Sequence, residues 1–235
     1  MSCIIVGKFI QLMSSNYRLL FLFSHLALIV ACNNVPPTQD KEQVNDTTLV
    51  EVKEPVIPKY DTYEESIVAM RAKKNESMLG NGIIEPEKVS AFKGLNYFDP
   101  DTTFIFKANF AIIKPEKVVF KTTDERAPVY YKYCKLSFNT QGKDAVLYGY
   151  VSEEDIEAPK SIFVPFKDAT SNSISYGGGR YLDLDYHGEK NMMLLDFNYA
   201  YNPYCHYNHN FSCPLVPAEN VLKVAINAGE KKLYD

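Results

Sequence analysis

Eight short segments between Thr103 and Asn227 are rich in β-branched or aromatic residues, and each is bounded by Gly, Pro, Asn or Asp. They span 103–109, 117–123, 130–138, 143–151, 161–166, 180–186, 192–197 and 221–227. No helix-length pattern separates them, so a strand–helix–strand fold with a parallel sheet is not expected. Short connections between regularly spaced strands predict a mainly β domain, an antiparallel meander forming a barrel or a sandwich. Composition agrees: 17 Tyr and 14 Phe without Trp, punctuated by 13 Pro and 11 Gly, suit turn-rich β structure. With 235 residues, 46% of them hydrophobic, the chain suffices for one compact domain with appendages.

Upstream of the strands the period changes. Residues 60–79 read as a helix, with Asp61/Glu64 or Thr62/Glu65 able to form a capping box and Gly80 and Gly82 stopping it. A second, short helix is expected over 86–92, with Pro86 at its first turn. Both are expected to pack on the sheet, giving a single globular domain over 60–235. Residues 32–59 carry Pro36, Pro37, Pro55 and Pro58 among polar residues and read as a flexible tether.

The first 31 residues have the form of a lipoprotein signal peptide. Residues 19–31 lack any formal charge, follow Arg18 and are too short to span a bilayer comfortably. Ile29-Val30-Ala31-Cys32 resembles a bacterial lipobox, in which the cysteine is acylated and becomes the mature N-terminus. Acylated Cys32 would then hold the domain to membrane lipid in the bacterial cell envelope, on the outer side of the cytoplasmic membrane or in the outer membrane. Formal net charge is −4, from 25 basic and 29 acidic residues; loss of Lys8 and Arg18 with the signal would make it −6. An acidic chain argues against a nucleic-acid partner.

Four constellations could carry chemistry. Gly177-Gly178-Gly179-Arg180 either cradles an anion on backbone N–H groups with Arg180 as clamp, or makes a sharp turn with Arg180 paired to Asp183, Asp185 or Asp196. No Lys-Ser/Thr ending follows, so a phosphate-binding loop for nucleotides is not supported. Asp196 and Asn198 alternate at a strand end and share a face, as a ligand-orienting pair or as anchors of turn amides. Cys205 and Cys213 bracket His206 and His209; a disulfide suits an oxidising compartment, while free thiols or a catalytic or metal role remain alternatives. The spacing matches no common zinc pattern, and neither a metal nor a cofactor is expected. Seven tyrosines between Tyr176 and Tyr207, with Asn198, Asn202, Asn208 and Asn210, either line a polar–aromatic cleft for a sugar or peptide or pack against a sheet. Cys134, within a strand pattern, is expected to be buried and inert.

Several blocks in the C-terminal half occur together: Phe163-Val164-Pro165-Phe166, Asp168-Ala169-Thr170, Tyr176 to Leu182, Asp196-Phe197-Asn198, Ala200 to Cys205, Cys213-Pro214, Pro217 with Asn220, and Ala228 to Lys231. With Phe92 to Phe98 upstream, they resemble the family called domain of unknown function 1684, over roughly 71–233. The chain departs from it after the first helix, where Met78 to Gly82 replaces a Ser-Pro-Leu-like stretch. The resemblance implies a shared fold with a dense C-terminal block and carries no activity.

Three functions follow as expectations. The first is an envelope lipoprotein that binds a small-molecule, glycan or peptide ligand through Gly177–Arg180 and the loop of Asp196, Asn198, Asn202 and Tyr204. The second is a hydrolase or lyase using Arg180, Asp196 and His187, although no Gly-x-Ser-x-Gly elbow supports a serine triad. The third is a structural lipoprotein with no small ligand.

Overall fold

The computed structural model describes residues 61–233. The signal peptide, most of the tether and Cys32 lie outside them. Helix α1, Tyr63–Gly80, begins where expected: the Thr62 side chain accepts from the Glu65 N–H, and the Glu65 carboxylate accepts from the Thr62 N–H at 3.0 Å. The second helix is a short 3-10 segment, Pro86–Ala91. Six strands follow: β1 Ile105–Val119, β2 Val129–Thr140, β3 Lys143–Ser152, β4 Ser161–Phe166, β5 Arg180–Asp185 and β6 Met192–Asp196. They form one antiparallel sheet of order β5-β4-β3-β2-β1-β6, curled into a half-barrel. Consecutive strands β5 and β6 stand at its two edges and line a common groove instead of pairing. Among the described residues, no helix is long and apolar enough to cross a membrane.

Two departures from the expected strands have physical causes. Segments 103–109 and 117–123 are largely one strand, β1, whose register against β2 shifts between Ile112 and Glu116. Pro115 lies in that interval and has no N–H to donate, so a bulge there lets the ladder resume beyond it. Residues 221–227 are extended but form no ladder. Their backbone is held largely by side chains: Arg180 donates to the Ile226 and Ala228 carbonyls, Gln141 to the Ala225 carbonyl, and Asp168 accepts from the Ile226 N–H. Leu222, Val224, Ile226 and Ala228 alternate into the main core, so this segment fills the half-barrel from within.

That core is built from one face of every strand, including Phe110, Leu136, Leu147, Val164, Leu182 and Leu195. Cys134 belongs to it; burial pushes its thiol up to about 12, which keeps it protonated and inert. Gly149 is required on the adjacent strand, because an added Cβ would lie 2.6 Å from Cys134 Sγ and 2.3 Å from Ile162 Cγ2.

Candidate functional site

Arg180 does not face a cleft. It is 1% exposed, and its guanidinium donates to Asp168 Oδ1 at 3.2 Å, the Ile226 carbonyl at 2.9 Å, the Glu230 carbonyl at 3.3 Å and the Ala228 carbonyl. Burial pulls its pKa below the ordinary arginine value, and the Asp168 carboxylate opposes that shift. The expected carboxylate partners Asp183, Asp185 and Asp196 are therefore replaced by Asp168. Asp168 also accepts from the Thr170 N–H and hydroxyl and from Ser171, which fixes the turn after β4 in front of the β5 start.

The three glycines follow from packing and not from an anion. A Cβ at Gly177 would lie 1.8 Å from Asn172 Oδ1, and one at Gly178 would lie 2.3 Å from the Tyr176 ring. Gly179 has φ +98°, and its Cβ would approach the Phe166 carbonyl oxygen to 2.7 Å. Asp196 and Asn198 are likewise anchors. Asp196 accepts from the Tyr63 hydroxyl at 2.7 Å and from the Asn198 N–H and side-chain amide, both at 2.9 Å. Asn198 reciprocates both backbone groups of Asp101, so the pair joins the start of α1 to the end of β6. Asn202 is fully buried: its N–H donates to Glu230 and its side-chain amide to Tyr207 and the Lys231 carbonyl. His187 lies in an exposed turn whose N–H donates to Glu189.

Of the expected loop residues, Tyr204 alone lines the largest aromatic cleft, which has a volume of about 560 Å³. The cleft lies on the sheet face opposite the main core. Strand alternation puts Tyr150 of β3, Phe163 of β4 and Tyr181 of β5 on this face, while Ile162, Val164 and Leu182 turn inward. These rings support one another, with Phe163 and Tyr181 edge-to-face at 4.8 Å and Tyr130 of β2 at 5.6 Å from Phe163. Tyr201 and Tyr204 reach in from the loop after β6. Tyr201 is placed by an antiparallel bridge to Tyr181 and by the Lys74 ammonium 4.5 Å from its ring centroid.

Polar groups ring this aromatic floor. Asp183 accepts from the Tyr201 hydroxyl; Asp155, Ser152 and Ser161 stand nearby. Lys74 is the cationic side chain among the lining residues, and it is committed to the buried Glu230 carboxylate at 2.7 Å. Two open carboxylates and a neutralised lysine make the cleft hostile to anions. Burial raises the hydroxyl pKa of Tyr150, Tyr181 and Tyr201, so all three remain protonated donors, to Glu219, the Pro214 carbonyl and Asp183 respectively. The tyrosine-rich segment 176–207 was one signal for this site; its other half, Tyr130, Tyr150 and Phe163, lay in strands that alternation alone could not bring together.

Cys205 and Cys213 meet beside this cleft as free thiols, not as the expected disulfide. The Cys205 N–H donates to Cys213 Sγ at 3.3 Å, and Cys213 lines the cleft wall.

The family model described as a protein of unknown function (DUF1684) matches residues 90–231. No curated protein matches the chain. The solution NMR structure of an uncharacterised protein from Haloarcula marismortui is similar, with 35% sequence identity and a TM-score of 0.57. That likeness covers 72% of this chain and 94% of the archaeal one. The family match includes the Arg180–Asp168 lock, the tyrosine loop and five of the six aromatic residues of the cleft's floor and walls, and on this ground the chain belongs to the DUF1684 family.

Proposed function

We propose that the protein is a binding domain whose aromatic cleft takes a short neutral glycan. One observation carries this reading. Tyr130, Tyr150, Phe163, Tyr181, Tyr201 and Tyr204 line one open cleft with Asp155, Asp183, Ser152 and Ser161. Ring faces suit the apolar C–H faces of a sugar, and the carboxylates and hydroxyls suit its hydroxyl groups. The same two carboxylates disfavour phosphorylated or uronic ligands. Calorimetric titration of the full chain with neutral, anionic and amino oligosaccharides, and with a peptide of matched size, tests it. Saturable binding of a neutral member is expected. Tyr204, which is 41% exposed, should tolerate Tyr204→Ala without unfolding, yet that variant should bind about tenfold more weakly, the equivalent of losing one aromatic contact. Preference for the anionic sugars, or neutral binding unchanged in Tyr204→Ala, would remove the reading.

The lipobox Ile29–Cys32 supports a second part of the proposal, that the domain works at a membrane surface in the bacterial envelope. Mass spectrometry of the membrane fraction should find an acylated N-terminal Cys32, and Cys32→Ala should leave the protein uncleaved or unlipidated. An unmodified N-terminus at another residue in the wild-type protein would exclude this anchor.

A further inference from the structure

We propose that Cys205 and Cys213 form a thiol–disulfide exchange site, with Cys213 as the attacking sulfur and Cys205 as the resolving one. The inference is independent of which ligand the neighbouring cleft takes. Its basis is the way the chain delivers two unbonded sulfurs to one place. Pro203 leads into the single turn Tyr204–His206 that carries Cys205. The chain then folds back, and Cys213 is fixed from the other side: its carbonyl accepts from the Thr123 N–H at 3.2 Å and its N–H donates to the Thr123 hydroxyl at 3.3 Å. A bridge between Thr122 and Pro214 continues that hold. The two side chains are thereby in hydrogen-bonding contact across the eight-residue separation.

The two sulfurs are not equivalent. Cys213 Sγ accepts from the Cys205 N–H and from the Cys205 thiol, and both bonds favour its thiolate. Arg126 adds a weaker attraction, and the net effect lowers the Cys213 pKa. Cys205 is driven the other way, chiefly because its thiol is the donor in that pair and because it is buried; the Tyr176 hydroxyl, bonded to it, opposes this. Such a division is what an exchange site needs, since the thiolate attacks and a held thiol waits to displace. Cys213 opens to the cleft, which gives a small disulfide a route to it.

The step balances with a low-molecular-weight disulfide as oxidant. Cys213 thiolate attacks one sulfur of RS–SR, forming Cys213–S–SR and releasing RS⁻. The Cys205 proton passes to a departing thiolate, Cys205 sulfur attacks Cys213, and the second RS⁻ leaves. The protein dithiol has lost two electrons and two protons, and the oxidant has become two thiols. Reduction by a dithiol runs the same steps backwards.

The test uses glutathione buffers of graded disulfide-to-thiol ratio on the full chain, followed by acid quench, alkylation and peptide mapping. The expected result is one two-electron transition that protects Cys205 and Cys213 together from alkylation while Cys134 stays reduced, fully reversed by excess dithiothreitol under native conditions. Cys205→Ser should trap glutathione on Cys213 as a mixed disulfide. Cys213→Ser should form a mixed disulfide at Cys205 roughly tenfold more slowly, because its sulfur remains a thiol. Three results would overturn the proposal: both sulfurs still alkylated in the most oxidising buffer, a bond that native dithiothreitol cannot reduce, or trapping that is faster at Cys205 than at Cys213.

Discussion

Arg180→Ala is expected to destabilise the domain by roughly 3–5 kcal/mol, the cost of leaving a buried charge without its partner. The charge left behind is Asp168, whose side chain is fully buried, and three backbone carbonyls, of Ile226, Ala228 and Glu230, lose their donor at the same time. For a domain of this size such a loss lowers Tm by roughly 6–20 °C. Arg180→Lys should recover little, since one ammonium cannot reach four acceptors spread along the C-terminal segment. Asp168→Asn keeps the shape but removes the charge, and it should fall between wild type and Arg180→Ala. The double variant Arg180→Met with Asp168→Leu should remain destabilised, because the orphaned carbonyls persist after both charges are gone. Thermal melts and urea unfolding measure each value. An Arg180→Ala domain as stable as wild type would show that the C-terminal segment is held by its apolar contacts alone. None of these variants touches the cleft lining, so the folded fraction should keep its ligand affinity.

How this lock escaped the sequence, while the strands did not, has a physical explanation. Strands declare themselves locally: β4 spans Ser161–Phe166 and β3 starts at Lys143, as alternation and turn residues indicate. The Thr62 capping box is equally local. A buried ion pair is not. Arg180 with Asp196 looked natural because the two would be neighbours in a simple hairpin, yet β5 and β6 never pair. β6 instead joins β1 at the far edge, which carries Asp196 to the Tyr63 hydroxyl. Asp168 lay on a turn with Thr170 and gave only the ordinary signature of an Asx-type cap. The glycine run misled for a related reason. Three consecutive glycines signal close approach, and here what approaches is the protein itself: an Asn172 amide, a Tyr176 ring and the Phe166 carbonyl. The cleft was half visible. Tyrosine density marked Tyr181, Tyr201 and Tyr204, but only the sheet's curl sets them beside Tyr130, Tyr150 and Phe163.

Asn220→Ala should be the second costly substitution, at roughly 2–5 kcal/mol, because one side chain stands in for part of a strand ladder. β3 and β4 share a single registered pair, Tyr150 with Phe163, and separate on one side of it. Into that gap the loop after Pro217 delivers Asn220, which is fully buried. Its Oδ1 accepts from the Tyr148 N–H at 2.8 Å, and its Nδ2 donates to the Tyr148 carbonyl at 2.9 Å and the Pro165 carbonyl at 2.7 Å. A primary amide is the one neutral group that presents an acceptor and two donors in a plane, so it mimics a peptide unit between two strands. Pro165 makes the substitute necessary, since it supplies a carbonyl but no N–H to the pairing. Alanine would leave three backbone groups without partners. Asn220→Asp should be at least as harmful, because its carboxylate would face two carbonyl oxygens where donors are needed. The damage should also reach the cleft, for Tyr150 and Phe163 sit on the strands that Asn220 holds together. Unfolding by urea gives the stability loss, and amide exchange at Tyr148 reports the local bond. Wild-type stability with slow exchange at Tyr148 in Asn220→Ala would mean that the single β3–β4 pair, with the core behind it, suffices to keep the strands together.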